Sequence, residues 1–198
     1  NGSKYDLNDR SKFSITLDLK NDESINELKK LIVQVDAVFE GFRPGVMEKL
    51  GLGPDDLLSM NEKLVYGRMT GWGQEGLFSN MAGHDLNYLS ITGALNAIGR
   101  KDERPSVPLN LIADYGGGGM LLAVGMLSAL IHSQKTGKGQ VVDAAMIDGT
   151  SMLMSLFYSF YGSGMWVNER ESNLLDGAAH FYDTYECKDG KYLSLIHI

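Results

Sequence analysis

The sequence has a single cysteine, Cys187, so no disulfide can form within the chain and a thiolate zinc site lacks its second ligand. It also lacks an excess of positive charge: 18 lysines and arginines oppose 25 aspartates and glutamates, for a net charge of −7. This balance argues against nucleic acid or an anionic membrane as the main partner. The longest apolar run, residues 120–131, is shorter than the roughly 20 residues that a membrane span needs, and we expect it to form a buried helix.

The remaining composition, 43% hydrophobic and 22% charged, is typical of a folded globular protein. Extended, β-branched segments predict strands at residues 13–19, 35–39, 63–69 and 140–145. Helix signals predict helices near residues 24–33, 85–94 and 147–161, and a hairpin is predicted over 181–195. Alternation of strand and helix predicts an α/β fold with an open parallel sheet and flanking helices, which binds ligands at the carboxyl ends of its strands.

Gly83-His84-Asp85 lies at the start of a predicted helix, where unpaired backbone N–H groups favour an anion or a developing oxyanion. His84 is then placed to act as an acid or base. The alternative is that Asp85 only caps the helix and His84 is a half-exposed loop residue.

Four consecutive glycines, Gly116 to Gly119, begin two residues after Asp114. We expect Asp114 to lie at the start of the long apolar helix. Turns without side chains leave room for a ligand to approach the backbone. The alternative is an N-cap followed by glycines that allow close helix packing. The run matches neither G-x-G-x-x-G nor a phosphate loop, so dinucleotide binding has no support.

Three cations, Lys20, Arg43 and Lys49, are predicted near one sheet edge and suit a polyanionic ligand, although a single surface lysine is usually only solvated. Residues 146–166 are rich in methionine and aromatic side chains. They form either an adaptable apolar surface for a lipid-like chain or, for most of them, part of the core.

Four segments occur in one order: EGFRPGVMEKLGLG at 40–53, AGHDLNY at 82–88, ADYGG at 113–117 and TGKGQVVDA at 136–144. Together they closely resemble the alpha-methylacyl-CoA racemase branch of the family III CoA-transferase superfamily (CaiB/BaiF type). The resemblance implies the family III CoA-transferase fold, with a Rossmann-like CoA-binding domain over 1–150. Residues 151–198 would be a linker helix and the start of a smaller domain. It also implies that the fold is incomplete at both ends.

The resemblance implies racemisation of 2-methylacyl-CoA thioesters through an enolate. His84 and Asp114 would be the two bases on opposite faces of the α-carbon, and the backbone N–H of Asp85 would stabilise the thioester oxygen. The CoA-binding positions that it implies are Leu19, Lys20, Gly41, Arg43, Lys49, Gly83 and Tyr88. Coenzyme A would be part of the substrate, and no other cofactor and no metal are expected.

Two other functions stay open. Transferases of the superfamily move CoA between carboxylic acids through an aspartyl-CoA anhydride, for which Asp114 is the matching position; His84 favours the racemase, because many transferases carry an aromatic residue there. The third function is a non-catalytic acyl-CoA binding protein. Family members are interlocked homodimers, and we expect a cytoplasmic location in a bacterium or a mitochondrial or peroxisomal one in a eukaryote.

The sequence departs from the family at its end. A glutamate that partners the catalytic histidine in the family would follow Lys191-Tyr192-Leu193-Ser194, but the chain turns to Leu195-Ile196-His197-Ile198 instead. We interpret this tail as the translation of a sequencing adapter, a hypothesis that resequencing of the locus tests. On its own, the 198-residue chain is expected to be inactive.

Overall fold

The computed structural model of the protein describes residues 7–196, so the last two residues of the tail lie outside the described range. Three strands form a parallel sheet in the order β1-β2-β3: Ala37–Glu40 (β1), Val65–Thr70 (β2) and Val141–Ala145 (β3). Two further strands pair as an antiparallel hairpin: Tyr182–Glu186 (β4) and Tyr192–Ile196 (β5). The α/β class, the open parallel sheet and the final hairpin are therefore confirmed.

Helices lie between the strands. In chain order, after a short 3₁₀ turn at Leu7–Asp9, they are Asp22–Ile32 (α1), Val46–Lys49 (α2), Pro54–Met60 (α3), Asp85–Ile91 (α4), Ala94–Ala97 (α5), a π-helix at Leu111–Met120, Leu121–Thr136 (α6), Met146–Leu153 (α7) and Ser155–Gly162 (α8). The cap predicted for α1 is present: the side chain of Asn21 accepts a hydrogen bond from the N–H of Glu23 at 2.8 Å.

The sheet is packed on both faces. One face carries α1, α2 and α3, and its core centres on Tyr66, which is fully buried and donates its hydroxyl to the Leu52 carbonyl at 3.0 Å. The other face carries α6, whose Leu122 and Met126 pack against the buried Val65 of β2. Because helices cover both faces, the carboxyl ends of the three strands and the loops that follow them are the part of the sheet open to a ligand.

Three predicted elements differ from the structure. Residues 13–18 have no regular secondary structure, Leu19 lies in a turn, and Phe13 and Ile15 are exposed. A strand pattern forms a strand only where a neighbour accepts its backbone hydrogen bonds. The predicted helix 85–94 ends at Ile91, because Gly93 adopts a left-handed conformation with φ 78° and starts α5. The predicted helix 147–161 is divided into α7 and α8.

The long apolar helix is longer than its apolar run suggested. The π-helix and α6 continue into each other over Leu111–Thr136, a length and composition sufficient to cross a membrane. A core helix meets the same criterion, and this one packs one face on the sheet. Side chains on its other face are exposed: Met120, Val124, Leu127 and Ile131. The expectation of a buried helix is therefore right for one face and wrong for the other.

Candidate functional site

A cavity of ≈ 260 Å³ opens at the carboxyl edge of the sheet. Its walls are the loop that follows β1, the end of β2 with the turn after it, and the segment that leads into α4. Five of the predicted site residues line it: Gly41, Arg43, Gly83, His84 and Tyr88. Residues far apart in the sequence are thus brought together where a parallel sheet ordinarily binds its ligand.

His84 is the N-cap of α4, in extended conformation with φ −135°. Its backbone N–H donates to the side-chain oxygen of Asn87 at 2.9 Å, which fixes the entry of the chain into the helix. The residue is exposed at the cavity wall, so its imidazole is accessible to a bound molecule. The alternative that Asp85 only caps α4 is wrong, because the N-cap position belongs to His84.

Asp85 caps a different helix. Its residue is only 4% exposed, and its carboxylate oxygen Oδ2 accepts hydrogen bonds from the N–H groups of Ala113 at 2.8 Å and Asp114 at 2.9 Å. Both N–H groups belong to the first turn of the π-helix, where backbone donors lack an intrahelical partner. The side chain of Asp85 therefore joins the start of α4 to the start of the π-helix.

Asp114 lies inside the π-helix and does not cap it, in contrast to the prediction. Its carboxylate is half-buried, and its Oδ2 accepts a hydrogen bond from the side-chain amide of Asn110 at 3.3 Å. π-helical turns are rare and frequently occur at functional sites. Among the residues that the structure describes, none donates a hydrogen bond to the second carboxylate oxygen of Asp114, and a carboxylate oxygen of this kind can take up a proton, as an acid or base requires.

The glycines after Asp114 allow close packing. Gly117 and Gly118 are buried, and an added Cβ on Gly117 would come within 2.7 Å of the backbone nitrogen of Thr150 in α7. On Gly118 it would come within 2.9 Å of the Met146 side chain. The helix-packing interpretation is therefore right for these two glycines.

Tyr88 lies in the cavity wall and is affected by the charge of Asp114. Its ring is buried and packs edge-on against Trp72, with centroids 4.7 Å apart, and a Cβ on Gly71 would overlap its hydroxyl. Burial, together with the negative charges of Asp114 and Asp85, raises the pKa of Tyr88. The phenol consequently stays protonated and is a neutral hydrogen-bond donor at the cavity wall.

Sequence reasoning missed the residues that hold the loop over the cavity. Arg68, buried in β2, pairs with Glu40 at the end of β1 at 3.1 Å and with Glu48 in α2 at 2.7 Å. The second oxygen of Glu40 accepts the N–H of Phe42 at 2.7 Å. One guanidinium thus anchors both ends of the Gly41–Gly45 loop. The signal in the sequence was an arginine inside an otherwise apolar strand, which must find a charged partner when buried.

The other predicted CoA-binding residues do not line this cavity. Lys20 and Lys49 are exposed, whereas Leu19 packs against the core beside α1. Of the three cations, Arg43 alone is among the lining residues. The roles of Leu19, Lys20 and Lys49 stay predictions.

The methionine and aromatic segment divides between two environments. Met154, Phe157 and Trp166 line a second, mainly apolar cavity of ≈ 320 Å³, which also includes Ile112 of the π-helix. Core packing, which we expected for most of the segment, is wrong for several members, because these are exposed: Met152, Tyr158, Tyr161 and Met165. Within residues 7–196, no group of three or more histidine, cysteine or acidic side chains could hold a metal ion.

Comparison with known proteins gives consistent matches. The model of CoA-transferase family III matches residues 1–197. Alpha-methylacyl-CoA racemase from Mus musculus is 46% identical over 94% of this chain and 49% of its own length. The beta subunit of succinyl-CoA–L-malate CoA-transferase from Chloroflexus aurantiacus is 33% identical over 94% of this chain and 46% of its own.

Comparison with solved structures supports the same family. The crystal structure of a CaiB/BaiF family protein from Brucella suis superimposes with a TM-score of 0.79 and 28% identity, over 92% of this chain and 48% of that one. The chain thus spans about half the length of the curated relatives it matches.

Proposed function

The chain belongs to CoA-transferase family III, and from this premise we propose that the full-length protein racemises 2-methylacyl-CoA thioesters. The identity to the mouse racemase, 46%, exceeds the 33% identity to the succinyl-CoA transferase subunit over the same share of the chain, which favours the racemase. CoA enters as part of the substrate.

One observation carries the proposal. His84 lines the cavity at the sheet edge, and the carboxylate of the next residue, Asp85, is bonded to the backbone of Asp114. Asp114 is not among the residues that line this cavity, and the contact that joins it to His84 is made by its backbone. This contact supports the proposal that the two titratable residues serve one site, as a two-base reaction requires.

In the proposed mechanism, the loop Gly41–Gly45 and Arg43 hold the CoA part while the α-carbon lies between His84 and Asp114. One of the two removes the α-proton, and the electron pair moves onto the thioester oxygen to form an enolate. The other, in its protonated form, returns a proton to the opposite face. The N–H of Asp85 stabilises the enolate oxygen, the role that the family resemblance implies.

The test is exchange of the α-proton in the full-length protein. A 2-methylacyl-CoA of one configuration is incubated in D2O, and deuterium at the α-carbon is followed by mass spectrometry. His84→Ala and Asp114→Asn should each slow exchange by about 100-fold or more, since general acid–base groups contribute about 10² to 10⁴, while calorimetry still detects thioester binding. His132→Ala, which changes an exposed histidine on α6, is the matched control. No exchange in the wild type would reject the racemase.

The match to the succinyl-CoA transferase subunit supports a second candidate, CoA transfer. Here the Asp114 carboxylate would attack the thioester carbonyl, form a mixed anhydride and release CoA as thiolate. Hydroxylamine would convert that anhydride into a hydroxamate on Asp114, which peptide mass spectrometry detects. A racemase gives deuterated thioester without an acceptor acid and without this adduct.

A further inference from the structure

Asp85 links the two helices that carry the proposed bases, α4 and the π-helix. It follows His84 directly, so its main chain continues the backbone that carries the imidazole at the N-terminus of α4. Its side chain reaches the other element: Oδ2 lies 2.8 Å from the backbone nitrogen of Ala113 and 2.9 Å from that of Asp114. Asp85 is therefore bonded both to His84, through the peptide bond, and to the backbone of Asp114, through its side chain.

The π-helix depends on this contact because its own cap is missing. Asn110, at the N-cap position, makes no side-chain bond to the free N–H groups of the first turn. Its amide instead donates to the carboxylate of Asp114 at 3.3 Å. The acceptor for Ala113, which is fully buried, comes from Asp85. Without this acceptor, a buried donor would be left unpaired, and the turn that carries Asp114 would move to find another partner.

We propose that the Asp85 carboxylate is a positioning residue that sets the distance between His84 and Asp114. It acts through the backbone of the π-helix, because the residue is buried and Oδ2 of its carboxylate is bonded to the N–H groups of Ala113 and Asp114. The kinetic consequence rests on the proposed function, since it requires that both bases serve one carbon. The structural consequence, a fixed first turn of the π-helix, does not depend on any activity.

The second oxygen of the carboxylate makes a sharp test available. Oδ1 of Asp85 is buried and has no hydrogen-bond partner within residues 7–196. Asp85→Asn can therefore keep one oxygen as acceptor for both N–H groups and replace only the unpartnered atom. Asp85→Ala removes the acceptor altogether. If the acceptor is what matters, the two variants separate; if the negative charge is what matters, both lose function.

The experiment compares these variants in the full-length protein, with Asp55→Ala as matched control, since Asp55 is an exposed aspartate in the first turn of α3. Amide hydrogen exchange of the peptide containing Ala113 and Asp114 is measured without substrate. Asp85→Ala should speed its exchange by about tenfold or more, whereas Asp85→Asn and Asp55→Ala keep the wild-type rate.

The kinetic readout uses α-proton exchange of the 2-methylacyl-CoA. Asp85→Ala should lower kcat by about 100-fold, because a displacement of about 1 Å costs that much, and leave KM within about twofold. Asp85→Asn should restore most of kcat. The proposal would be overturned if Asp85→Asn and Asp85→Ala lowered kcat equally. It would also be overturned if the amides of Ala113 and Asp114 exchanged at the wild-type rate in Asp85→Ala. If the amides respond as expected but the wild type never exchanges the α-proton, the positioning contact stands and the racemase function falls.

Discussion

The guanidinium of Arg68 donates to both carboxylate oxygens of Glu48, from Nη1 to Oε1 at 2.7 Å and from Nη2 to Oε2 at 3.3 Å. Its Nε donates to Glu40 at 3.1 Å. Arg68 lies in the central strand, whereas its partners lie before and after the Gly41–Gly45 loop. The three charges therefore fix this cavity wall to the middle of the sheet.

Replacement of Arg68 should destabilise the protein. In Arg68→Met, the Glu40 side chain, 4% exposed, is left as a buried charge without its partner, which costs about 3–5 kcal/mol in comparable cases. The measurement is the free energy of unfolding in urea for the full-length protein. Arg43→Met, an exposed arginine of the same loop, should change it by less than about 0.5 kcal/mol. Equal urea midpoints for wild type and Arg68→Met would contradict the anchoring role.

The contact between Arg68 and Glu48 should also make stability depend on pH. The hydrogen bond from Arg68 holds the pKa of Glu48 below its ordinary value of 4.5. A lowered carboxyl pKa stabilises the fold above the unfolded value, and this contribution is lost as the pH falls through the folded value. Glu48→Gln should thus be less stable than wild type at pH 7, and the difference should shrink below pH 4.5.

Thermal unfolding followed by circular dichroism between pH 7 and pH 3 measures this difference. Glu75→Gln, which changes an exposed glutamate, should follow the wild-type curve at every pH. A constant gap between Glu48→Gln and wild type over the whole range would show that Glu48 acts by packing and not by its charge.

The sequence predicted the fold better than the side-chain contacts. Strands β1, β2 and β3 were recognised because extended, β-branched segments next to turn residues are local signals. The hydrogen-bond partners of Asp85 were not recognised, because they are the N–H groups of residues 28 and 29 positions further along the chain. A helix start predicts only that its first N–H groups need an acceptor, not which side chain supplies it. The strand predicted at residues 13–19 was wrong for a related reason. Strand formation depends on pairing with a neighbouring strand, which the local sequence pattern does not reveal.

The contact between α7 and the π-helix should not tolerate a methyl group. An added Cβ on Gly149 of α7 would overlap the carbonyl oxygen of Gly117 in the π-helix, where backbone meets backbone. Gly149→Ala should therefore cost about 3 kcal/mol of stability, because neither chain can move without separating the helices. Gly162→Ala, where nothing lies within 4 Å of the added Cβ, should be neutral or slightly stabilising in urea unfolding. Similar midpoints for both variants would contradict the close packing.

The 198-residue chain alone should associate with itself and catalyse no α-proton exchange. Large apolar side chains are exposed on α6 and β1: Leu127 is 62%, Ile131 54% and Phe39 69% exposed. Exposed apolar side chains of this size drive association, and the family resemblance implies an interlocked homodimer in which a second copy could cover them. Light scattering after size-exclusion chromatography measures the mass. Leu127→Lys with Ile131→Lys should raise the monomer fraction, whereas Lys substitution of the already polar Ser128 should not. A monomeric wild-type chain that exchanges the α-proton would contradict both expectations, because the site would then be complete without any surface beyond these residues.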